Sequence, residues 1–398
     1  MRKVYIDYNA TTPIRPEVKN AILEDLDIYG NASSMHESGR HARARVEQAR
    51  ADVSSLIGAK NGSIIFTSGG SEANNTVFHT MRQLAEGSDE SWKMNGRDSA
   101  LRFRDEFLVS AIEHPCVMNS ALNLKKAGFK VTVLPVDEYG KLKTDELKNS
   151  LSEKTLFVSV MAANNEIGTV QDIKEITALV KNAGAFTHID AVQAAGKIPF
   201  NAEEIDADYI SVSAHKIYGP KGVGALYVKK SAPLFPLIHG GHQEDGLRAG
   251  TYNNGGILGF GTAARLAAVE IDRYAKETGA LRGRLLNGLL ENIPGVKING
   301  HPRDTLPNTL NISFPGAEGE AILLSMDMRG IEASTGSACA SGNLEPSHVL
   351  MATGVGPELA HGSIRFSLGW GITEDDIDYI IEVLPPILTR LRAMSTLT

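Results

Sequence analysis

The sequence contains little cysteine, no long apolar run and no surplus of basic charge. Only Cys116 and Cys339 carry a thiol among 398 residues, which is too few for a disulfide framework and typical of proteins from a reducing cytoplasm. No run of about 18 apolar residues occurs, so no membrane-spanning helix is predicted. The first residues, MRKVYIDYNATTP, lack the apolar core of a signal peptide. We therefore expect a cytoplasmic protein without a membrane segment.

The charge balance and the histidine spacing argue against two further classes of protein. The chain has 47 acidic and 40 basic residues and a net charge of −7, so it offers phosphates no basic surplus and we expect no nucleic-acid partner. His239 and His242 lie close together in HGGHQE. They have no third ligand at a useful spacing, so no metal site is predicted.

Short apolar runs alternate with helical segments over most of the chain. The runs that predict strands are residues 63–70, 106–114, 130–136, 155–161, 185–190, 208–215 and 224–230. The predicted helices between them include residues 71–85, 115–127 and 171–183. Nearly continuous apolar strands with intervening helices predict an α/β fold, with a mainly parallel central sheet and helices on both faces.

After residue 262 the pattern changes to a long helical stretch, two separated strands and a final helix. This change predicts a second, smaller α+β domain. We predict a large domain of residues 15–262 and a small domain formed by residues 1–14 and 263–398, which carries the loop with Cys339. The polar stretch 86–105 predicts a surface insertion.

Small residues follow two of the predicted strands. The stretch FTSGGSEANN places Gly70 and Ser71 where a strand turns into a helix, and backbone N–H groups at a helix start can hold an anion. The stretch SVSAHKIYGPKGVG places Lys216 directly after another strand, with Ser213 and His215 beside it. Ligands bind at the carboxyl ends of strands in α/β sheets, so Lys216 is a candidate binding residue. The alternative is an ordinary solvated lysine.

A carboxylate ends a third predicted strand. Asp190 lies at this position in HIDAVQAAGK, and Gln193 follows it; the alternative for Asp190 is a helix cap. Pyridoxal 5′-phosphate requires an amine for a Schiff base, a carboxylate that keeps its pyridine nitrogen protonated, and donors for its phosphate. Lys216, Asp190 and the glycine–serine turn together offer these groups. The sequence therefore predicts pyridoxal 5′-phosphate as the cofactor.

The chain resembles the cysteine desulfurases of the NifS/IscS-like type, which belong to the aminotransferase class V group of fold-type I pyridoxal phosphate enzymes. Ten stretches carry the resemblance in the same order, from residue 5 to residue 370. They are YIDYNATTP, GNASSMHESGRHAR, FTSGGSEANN, EHPCV, ANNEIGTVQDI, HIDAVQAAGK, SAHKIYGPKGVGALY, GLRAGT, GSACASGNLEPSHVL and SIRFSLGW.

The resemblance implies a role for each cofactor-binding residue. Lys216 is implied to form the Schiff base, Asp190 to pair with the pyridine nitrogen, and Gln193 to donate to the phenolic oxygen. His114, in IEHP, is implied to stack on the ring and to move protons. The residues implied to hold the phosphate are Gly70, Ser71, Ser213, His215 and, from a second subunit, Thr251.

The resemblance also implies the reaction. Cys339 lies in the stretch STGSACASGNLEPS, whose small residues suit a loop that can move. It is implied to attack the sulfur of L-cysteine, which yields L-alanine and a Cys339 persulfide. Asn165 and Arg365 are implied to bind the substrate carboxylate, a task that suits the arginine fork. We interpret Cys116 as a packed thiol without a catalytic role.

The implied partners are a second copy of the chain, in a homodimer, and a sulfur-acceptor protein. The sulfur would serve iron–sulfur cluster or thio-cofactor biosynthesis. Two alternatives stay open: a selenocysteine lyase, which resembles the chain in the same motifs, and a sulfur-relay or complex subunit that mainly binds a partner. The presence of Lys216, Asp190 and Cys339 argues against an inactive subunit.

Overall fold

The computed structural model describes residues 2–87, 104–335 and 345–394. Within these ranges the strands are β1 (Val4–Tyr5), β2 (Gly62–Thr67), β3 (Glu106–Ser110), β4 (Lys130–Leu134), β5 (Thr155–Met161), β6 (Phe186–Asp190), β7 (Tyr209–Ser213), β8 (Gly224–Lys229), β9 (Lys297–Asn299), β10 (Thr309–Ser313), β11 (Ile331–Glu332) and β12 (Ser363–Ser367). Most of the predicted insertion at 86–105 lies outside the described residues, as does Cys339.

The described helices are α1 (Pro16–Leu26), α2 (Glu37–Leu56), α3 (Gly70–Ala85), α4 (Pro115–Lys126), α5 (Thr144–Ser150), α6 (Ile173–Asn182), α7 (Ala202–Ile205), α8 (Asn254–Asn292), α9 (Gly319–Asp327), α10 (His348–Ala352), α11 (Pro357–His361) and α12 (Glu374–Met394). Two short 3-10 turns cover Ala214–Lys216 and Gln243–Gly246. None of these described helices combines the length and the apolar character that crossing a bilayer requires.

Seven strands form the central sheet, in the order β2-β8-β7-β6-β5-β3-β4. Neighbouring strands are parallel from β4 to β7, and β8 runs antiparallel to both of its neighbours. Apolar side chains of α2 and α8 pack on one face, and those of α3 and α4 pack on the other. Every residue of β3, β5, β6 and β7 is therefore buried, which agrees with their largely apolar sequences. The predicted α/β fold with a mainly parallel sheet is confirmed.

A smaller antiparallel sheet has the strand order β12-β10-β9. It shares an apolar core with α12 and the later part of α8, including Leu289 and Phe366. Strand β1 pairs in parallel with β11 and contributes Val4 to that core. Helix α8 continues without interruption across the predicted domain boundary after residue 262. The division into residues 15–262 and the remainder of the chain stays a prediction.

The segment after β1 connects the two sheets. The backbone N–H of Tyr8 donates to the carbonyl of Ser367 in β12 at 3.1 Å. Four residues later, the backbone N–H of Thr12 donates to the carbonyl of His215, in the turn after β7, at 3.0 Å. This segment therefore holds the antiparallel sheet against the end of a central strand of the large sheet.

Gly330 and Gly295 form a matched pair for testing the contact between β1 and β11. Both have a left-handed backbone, with φ of +77° and +74°. A Cβ atom on Gly330 would lie 1.9 Å from the backbone oxygen of Arg2, whereas no described heavy atom lies within 4 Å of one on Gly295. We expect Gly295→Ala to lower the free energy of unfolding by about 1 kcal/mol through backbone strain alone. Gly330→Ala should lower it by about 3 kcal/mol, because the backbone at Arg2, just before β1, must also shift.

Urea-induced unfolding of the two variants and the parent protein measures both losses. Equal losses in Gly330→Ala and Gly295→Ala would contradict the argument that the backbone of Arg2 blocks a side chain at residue 330.

Candidate active site

A cavity of about 520 Å³ opens where β5, β6 and β7 end. Ten of the twelve site residues predicted from the sequence line it: Gly70, Ser71, His114, Asn165, Asp190, Gln193, Ser213, His215, Lys216 and Arg365. Thr251 is exposed and does not line this cavity. Cys339 lies outside the described residues. The roles of Thr251 in a second subunit's site and of Cys339 as nucleophile therefore stay predictions.

Lys216 lies at the end of the 3-10 turn that follows β7. Its Nζ donates to the backbone oxygens of Asn9 at 2.5 Å and Ala10 at 2.7 Å. The preceding residue, His215, has its Nδ1 at 3.2 Å from the hydroxyl oxygen of Thr11. Burial, followed by the charge of Lys216, lowers the pKa of His215 to about 4. His215 is therefore a neutral imidazole at neutral pH, with one ring N–H to donate.

Asp190 ends β6 and is 5% exposed. One carboxylate oxygen accepts a hydrogen bond from Nδ2 of Asn74 at 2.7 Å, and the other accepts from the backbone N–H of Val192 at 3.0 Å. Residues 192–197 form a turn and the next helix, α7, begins only at Ala202, so Asp190 does not cap a helix. Because a carboxylate can accept more than two hydrogen bonds, Asp190 can also pair with a protonated ring nitrogen in the cavity.

His114 caps the start of α4 and contacts Cys116. Its Nδ1 accepts from the backbone N–H of Cys116 at 3.2 Å and lies 3.0 Å from the sulfur. Burial lowers the pKa of His114, and the negative charge of Asp190 offsets this only in part. The imidazole is therefore neutral at neutral pH. Burial, and then Asp190, raises the pKa of the Cys116 thiol to about 12. A protonated, packed thiol agrees with our interpretation of Cys116.

The start of α3 and the side chain of Ser213 form a group of donors on one wall of the cavity. Helix α3 begins at Gly70, and the first N–H groups of a helix have no partner within it. A Cβ atom on Gly70 would lie 2.8 Å from a methyl carbon of Val192 and 3.8 Å from Cβ of Ser213. The hydroxyl of Ser213 is buried and has no partner among the described residues. An unpaired hydroxyl beside a helix start fits a phosphate, so these residues fit pyridoxal 5′-phosphate.

Arg365 projects from the middle of β12 into the cavity and is 2% exposed. Its Nη2 donates to a carboxylate oxygen of Asp7 at 2.6 Å, and its Nη1 donates to the backbone oxygen of Asn165 at 3.1 Å. Its Nε is buried and has no partner among the described residues. The sequence analysis did not single out Asp7, because a contact across 358 positions leaves no local pattern.

Two further polar residues support the cavity wall and were missed by the sequence analysis: Glu113, which is buried, and His348, which is exposed. A carboxyl oxygen of Glu113 accepts from the backbone N–H of Met161 at 2.7 Å. Burial, followed by the charge of Asp190, raises the pKa of Glu113 well above its usual value. Nε2 of His348 lies 2.9 Å from the backbone oxygen of Glu113, which connects the start of α10 to the turn before α4. Both residues lie within matched stretches, EHPCV and GSACASGNLEPSHVL, which was the available indication.

Comparison with known proteins assigns the chain to a family of α/β enzymes. The family model described as aminotransferase class-V matches residues 4–380. Cysteine desulfurase IscS of Dictyoglomus turgidum is 45% identical, over 99% of this chain and 96% of its own. Cysteine desulfurase IscS of Clostridium botulinum is 46% identical, over 100% of this chain and 97% of its own. The chain therefore belongs to the aminotransferase class-V family.

Solved structures agree with this assignment. The fold is similar to that of a NifS-like protein with a TM-score of 0.88 and 38% identity, over 98% of this chain and 100% of that chain. It is also similar to a NifS-like protein from Rickettsia africae with a TM-score of 0.86 and 33% identity, again over 98% and 100% of the two chains. The resemblance to the NifS/IscS-like group inferred from the motifs is confirmed.

The environment of Cys116 leads to a labelling prediction. With a pKa of about 12, the Cys116 thiol is almost entirely protonated at mildly alkaline pH, and only the thiolate is alkylated. We expect iodoacetamide to label Cys116 in the folded protein at least about a hundredfold more slowly than in urea-unfolded protein, where the pKa returns to its usual value. Mass spectrometry of the peptide that contains Cys116 measures both rates. Similar rates in the two samples would contradict the burial of this thiol.

Proposed function

We propose that the protein is a cysteine desulfurase that uses pyridoxal 5′-phosphate to convert L-cysteine to L-alanine and passes the sulfur to Cys339 as a persulfide. The observation that carries this proposal is one cavity that gathers an amine, a carboxylate, an unpaired hydroxyl at a helix start and a buried guanidinium. Family membership supports the same reaction. The desulfurase names of the relatives favour it over a selenocysteine lyase or a sulfur-relay subunit.

Residues on several walls of the cavity would hold the cofactor. Lys216 would attach it covalently, Asp190 would pair with its ring nitrogen, and Gln193 would donate to its phenolic oxygen. The residues that would surround its phosphate are Gly70, Ser71, Ser213 and His215. Bound in this way, the cofactor supplies a sink for the electron pair that is left when the Cα–H bond of cysteine breaks.

Arg365 and Asn165 would bind the carboxylate of L-cysteine. A guanidinium matches a carboxylate with two parallel N–H donors, and the bond to Asp7 holds the Arg365 group in place. The buried Nε of Arg365 has no described partner, so the group retains a donor for a substrate. A guanidinium that is 2% exposed is costly to bury with an unused donor, which supports a binding role in addition to the ion pair.

Proton transfer at Cα would involve Lys216 and His114. When the Lys216 amine is uncharged and not attached to the cofactor, it can take the Cα proton, because an amine near a reacting carbon is a competent base. The burial that lowers the pKa of His114 keeps its imidazole neutral. A neutral imidazole can accept a proton and return it later in the reaction.

Cys339 would carry the sulfur. Its thiolate would attack the sulfur of the substrate, so that an S–S bond forms as the Cβ–S bond breaks, and Cβ then gains a proton to give alanine. A sulfur-acceptor protein would receive the persulfide sulfur for iron–sulfur cluster or thio-cofactor biosynthesis. The expected cytoplasmic location rests on the low cysteine content and stays a prediction.

We also propose that the active unit is a homodimer, in which Thr251 of the partner subunit completes the phosphate site. Thr251 is exposed and lies outside the cavity of its own chain, which supports a role toward a second subunit. Near it, Arg248 donates to the carboxylate of Glu72 at 2.8 Å. That ion pair holds the loop with Thr251 against the first turn of α3.

Replacement of Lys216 tests the assignment of the amine. We expect Lys216→Ala to fold and to lower alanine formation from L-cysteine by on the order of a thousandfold, because one side chain supplies both attachment and the proton acceptor. The variant should retain some affinity for pyridoxal 5′-phosphate through Asp190 and the phosphate donors. Alanine is measured by chromatography and bound cofactor by absorbance. Alanine formation at the parental rate would show that Lys216 is not the attachment site.

Replacement of each cysteine separates cofactor chemistry from sulfur transfer. Cys339→Ser keeps the size of the side chain, but its hydroxyl is a poor sulfur nucleophile at neutral pH. We expect this variant to exchange the Cα proton of L-cysteine with solvent, yet to form no persulfide and to release alanine at least about a hundredfold more slowly. Intact-mass measurement detects protein-bound sulfur, and NMR in D₂O detects the proton exchange.

The matched control is Cys116→Ser, which should form the persulfide as the parent protein does. Loss of the persulfide in Cys116→Ser, or normal persulfide in Cys339→Ser, would show that the nucleophile is the other cysteine.

A further inference from the structure

A second lysine, Lys197, lies beside the cavity and has no part in the reaction described above. It is 2% exposed, and its Nζ donates to Oε1 of Gln193 at 2.6 Å and to Oδ1 of Asn9 at 3.0 Å. Both acceptors are neutral amide oxygens. Burial lowers the pKa of Lys197 well below its usual value, and the charge of Lys216 adds to the effect. Because a buried amino group destabilises a fold relative to a well-packed apolar side chain, packing alone does not explain a lysine here.

The contact with Lys197 determines how the side-chain amide of Gln193 is oriented. Whether or not it is charged, a lysine amino group has at least two N–H donors, and Lys197 directs two of them at the oxygens of Gln193 and Asn9. The oxygen of the Gln193 amide therefore faces Lys197, and its NH₂ group faces away. One N–H of that group donates to the backbone oxygen of Asn9 at 3.0 Å. The other N–H remains for the cavity, which Gln193 lines. If Lys197 were absent, the amide could turn over and present an oxygen to the cavity instead.

Asn9 connects the same lysine to Lys216. The side-chain oxygen of Asn9 accepts from Lys197, and its backbone oxygen accepts from Nζ of Lys216 at 2.5 Å. The side-chain NH₂ of Asn9 donates to the backbone oxygen of Asn165 at 3.1 Å. Lys197 therefore contacts both Gln193 and Asn9, whose carbonyl accepts a hydrogen bond from Lys216.

We propose that Lys197 is a positioning residue, which keeps the NH₂ group of Gln193 directed into the cavity and holds Asn9 against Lys216. The proposal rests on the proposed function, because the acceptor for the Gln193 N–H would be the phenolic oxygen of pyridoxal 5′-phosphate. A donor to that oxygen stabilises its negative charge, which is greatest after the Lys216 nitrogen that attaches the cofactor loses its proton. Loss of the donor therefore makes that nitrogen harder to deprotonate. The pH midpoint of the visible-absorbance change of the cofactor-bound protein then rises.

The test uses Lys197→Met, which keeps the length and apolar part of the side chain but removes its donors. We expect the variant apoprotein to bind pyridoxal 5′-phosphate about tenfold more weakly, as loss of a buried hydrogen-bond partner implies. We also expect the midpoint of its visible-absorbance pH titration to rise by about one pH unit. The charged groups that face Lys197 from neighbouring elements, and that remain in the variant, are Arg15, Lys216, Glu270 and Arg365.

The control is Lys174→Met, which removes an exposed lysine whose partner is Glu204. It should leave both the cofactor affinity and the pH midpoint unchanged. A purely structural role for Lys197 would lower the melting temperature of the apoprotein without moving the pH midpoint, and that result would overturn the proposal.

A double-mutant cycle with Gln193→Ala tests whether Lys197 acts through Gln193. In the Gln193→Ala background, Lys197→Met should weaken cofactor binding by no more than about twofold, because the amide that it positions is gone. If Lys197→Met still weakened cofactor binding about tenfold in that background, Lys197 would not act through Gln193 and the proposal would be overturned. If Lys197→Met does not fold, Lys197→Gln replaces it, because glutamine retains a donor on a shorter side chain. We then expect a cofactor affinity between that of the parent and a loss of about tenfold. If neither variant folds, the role of Lys197 is structural and the proposal is wrong.

The parent protein separates this proposal from the proposed function. If the parent apoprotein does not bind pyridoxal 5′-phosphate, the proposed function fails. If the parent binds it and Lys197→Met matches the parent in affinity and pH midpoint, only the role of Lys197 is overturned.

Discussion

A parallel sheet that is covered on both faces leaves polar side chains little space except where its strands end. Strands β5, β6 and β7 are buried along their whole length, so a polar side chain within them needs a partner in the core, as His188 has in Ser159 and Ser211. Only the last positions of these strands open onto the cavity. Asp190 and Ser213 occupy two of those last positions, and Lys216 follows within three residues. The cavity, its donors and its amine all lie at this edge because the rest of the sheet is closed to them.

The cavity needs the second sheet to become complete. Arg365 reaches it from β12, and residues 8–12 connect that strand to the turn after β7. Asn9, within this connection, contacts Lys197 through its side chain and Lys216 through its backbone. The small sheet thus contributes the guanidinium of Arg365 and positions the carbonyl of Asn9 that accepts a hydrogen bond from Lys216. The site therefore depends on how the two sheets are held together.

The cavity presents several hydrogen-bond donors that suit anionic groups of a ligand. Burial lowers the pKa of His114 and His215, so both rings are neutral at neutral pH and donate through N–H groups without adding charge. Lys216 and Arg365 line the same space, together with the carboxylates of Glu166, Asp190 and Glu345. A phosphate and an amino-acid carboxylate suit such a set of donors, which is consistent with the proposed cofactor and substrate.

The strands and the largely parallel sheet could be predicted from the sequence because they depend on local pattern. The ten residues of the cavity were predicted from local pattern together with the resemblance to a known family. Continuous apolar runs indicate buried strands, and the residues just after them indicate the ligand-binding edge. The motifs that matched a known family sharpened these predictions to individual side chains. Contacts between distant segments, such as Arg365 with Asp7, have no local pattern and could not be predicted in this way.

The sequence by itself determined the order of strands and helices and which residues follow the central strands, since these depend on neighbouring side chains. Only the tertiary structure decided that Lys197 lies between Gln193 and Asn9, that Asp7 holds Arg365, and that the Cys116 thiol is protonated. The physical reason is that hydrogen bonds and burial act between groups that are close in space, whatever their separation along the chain.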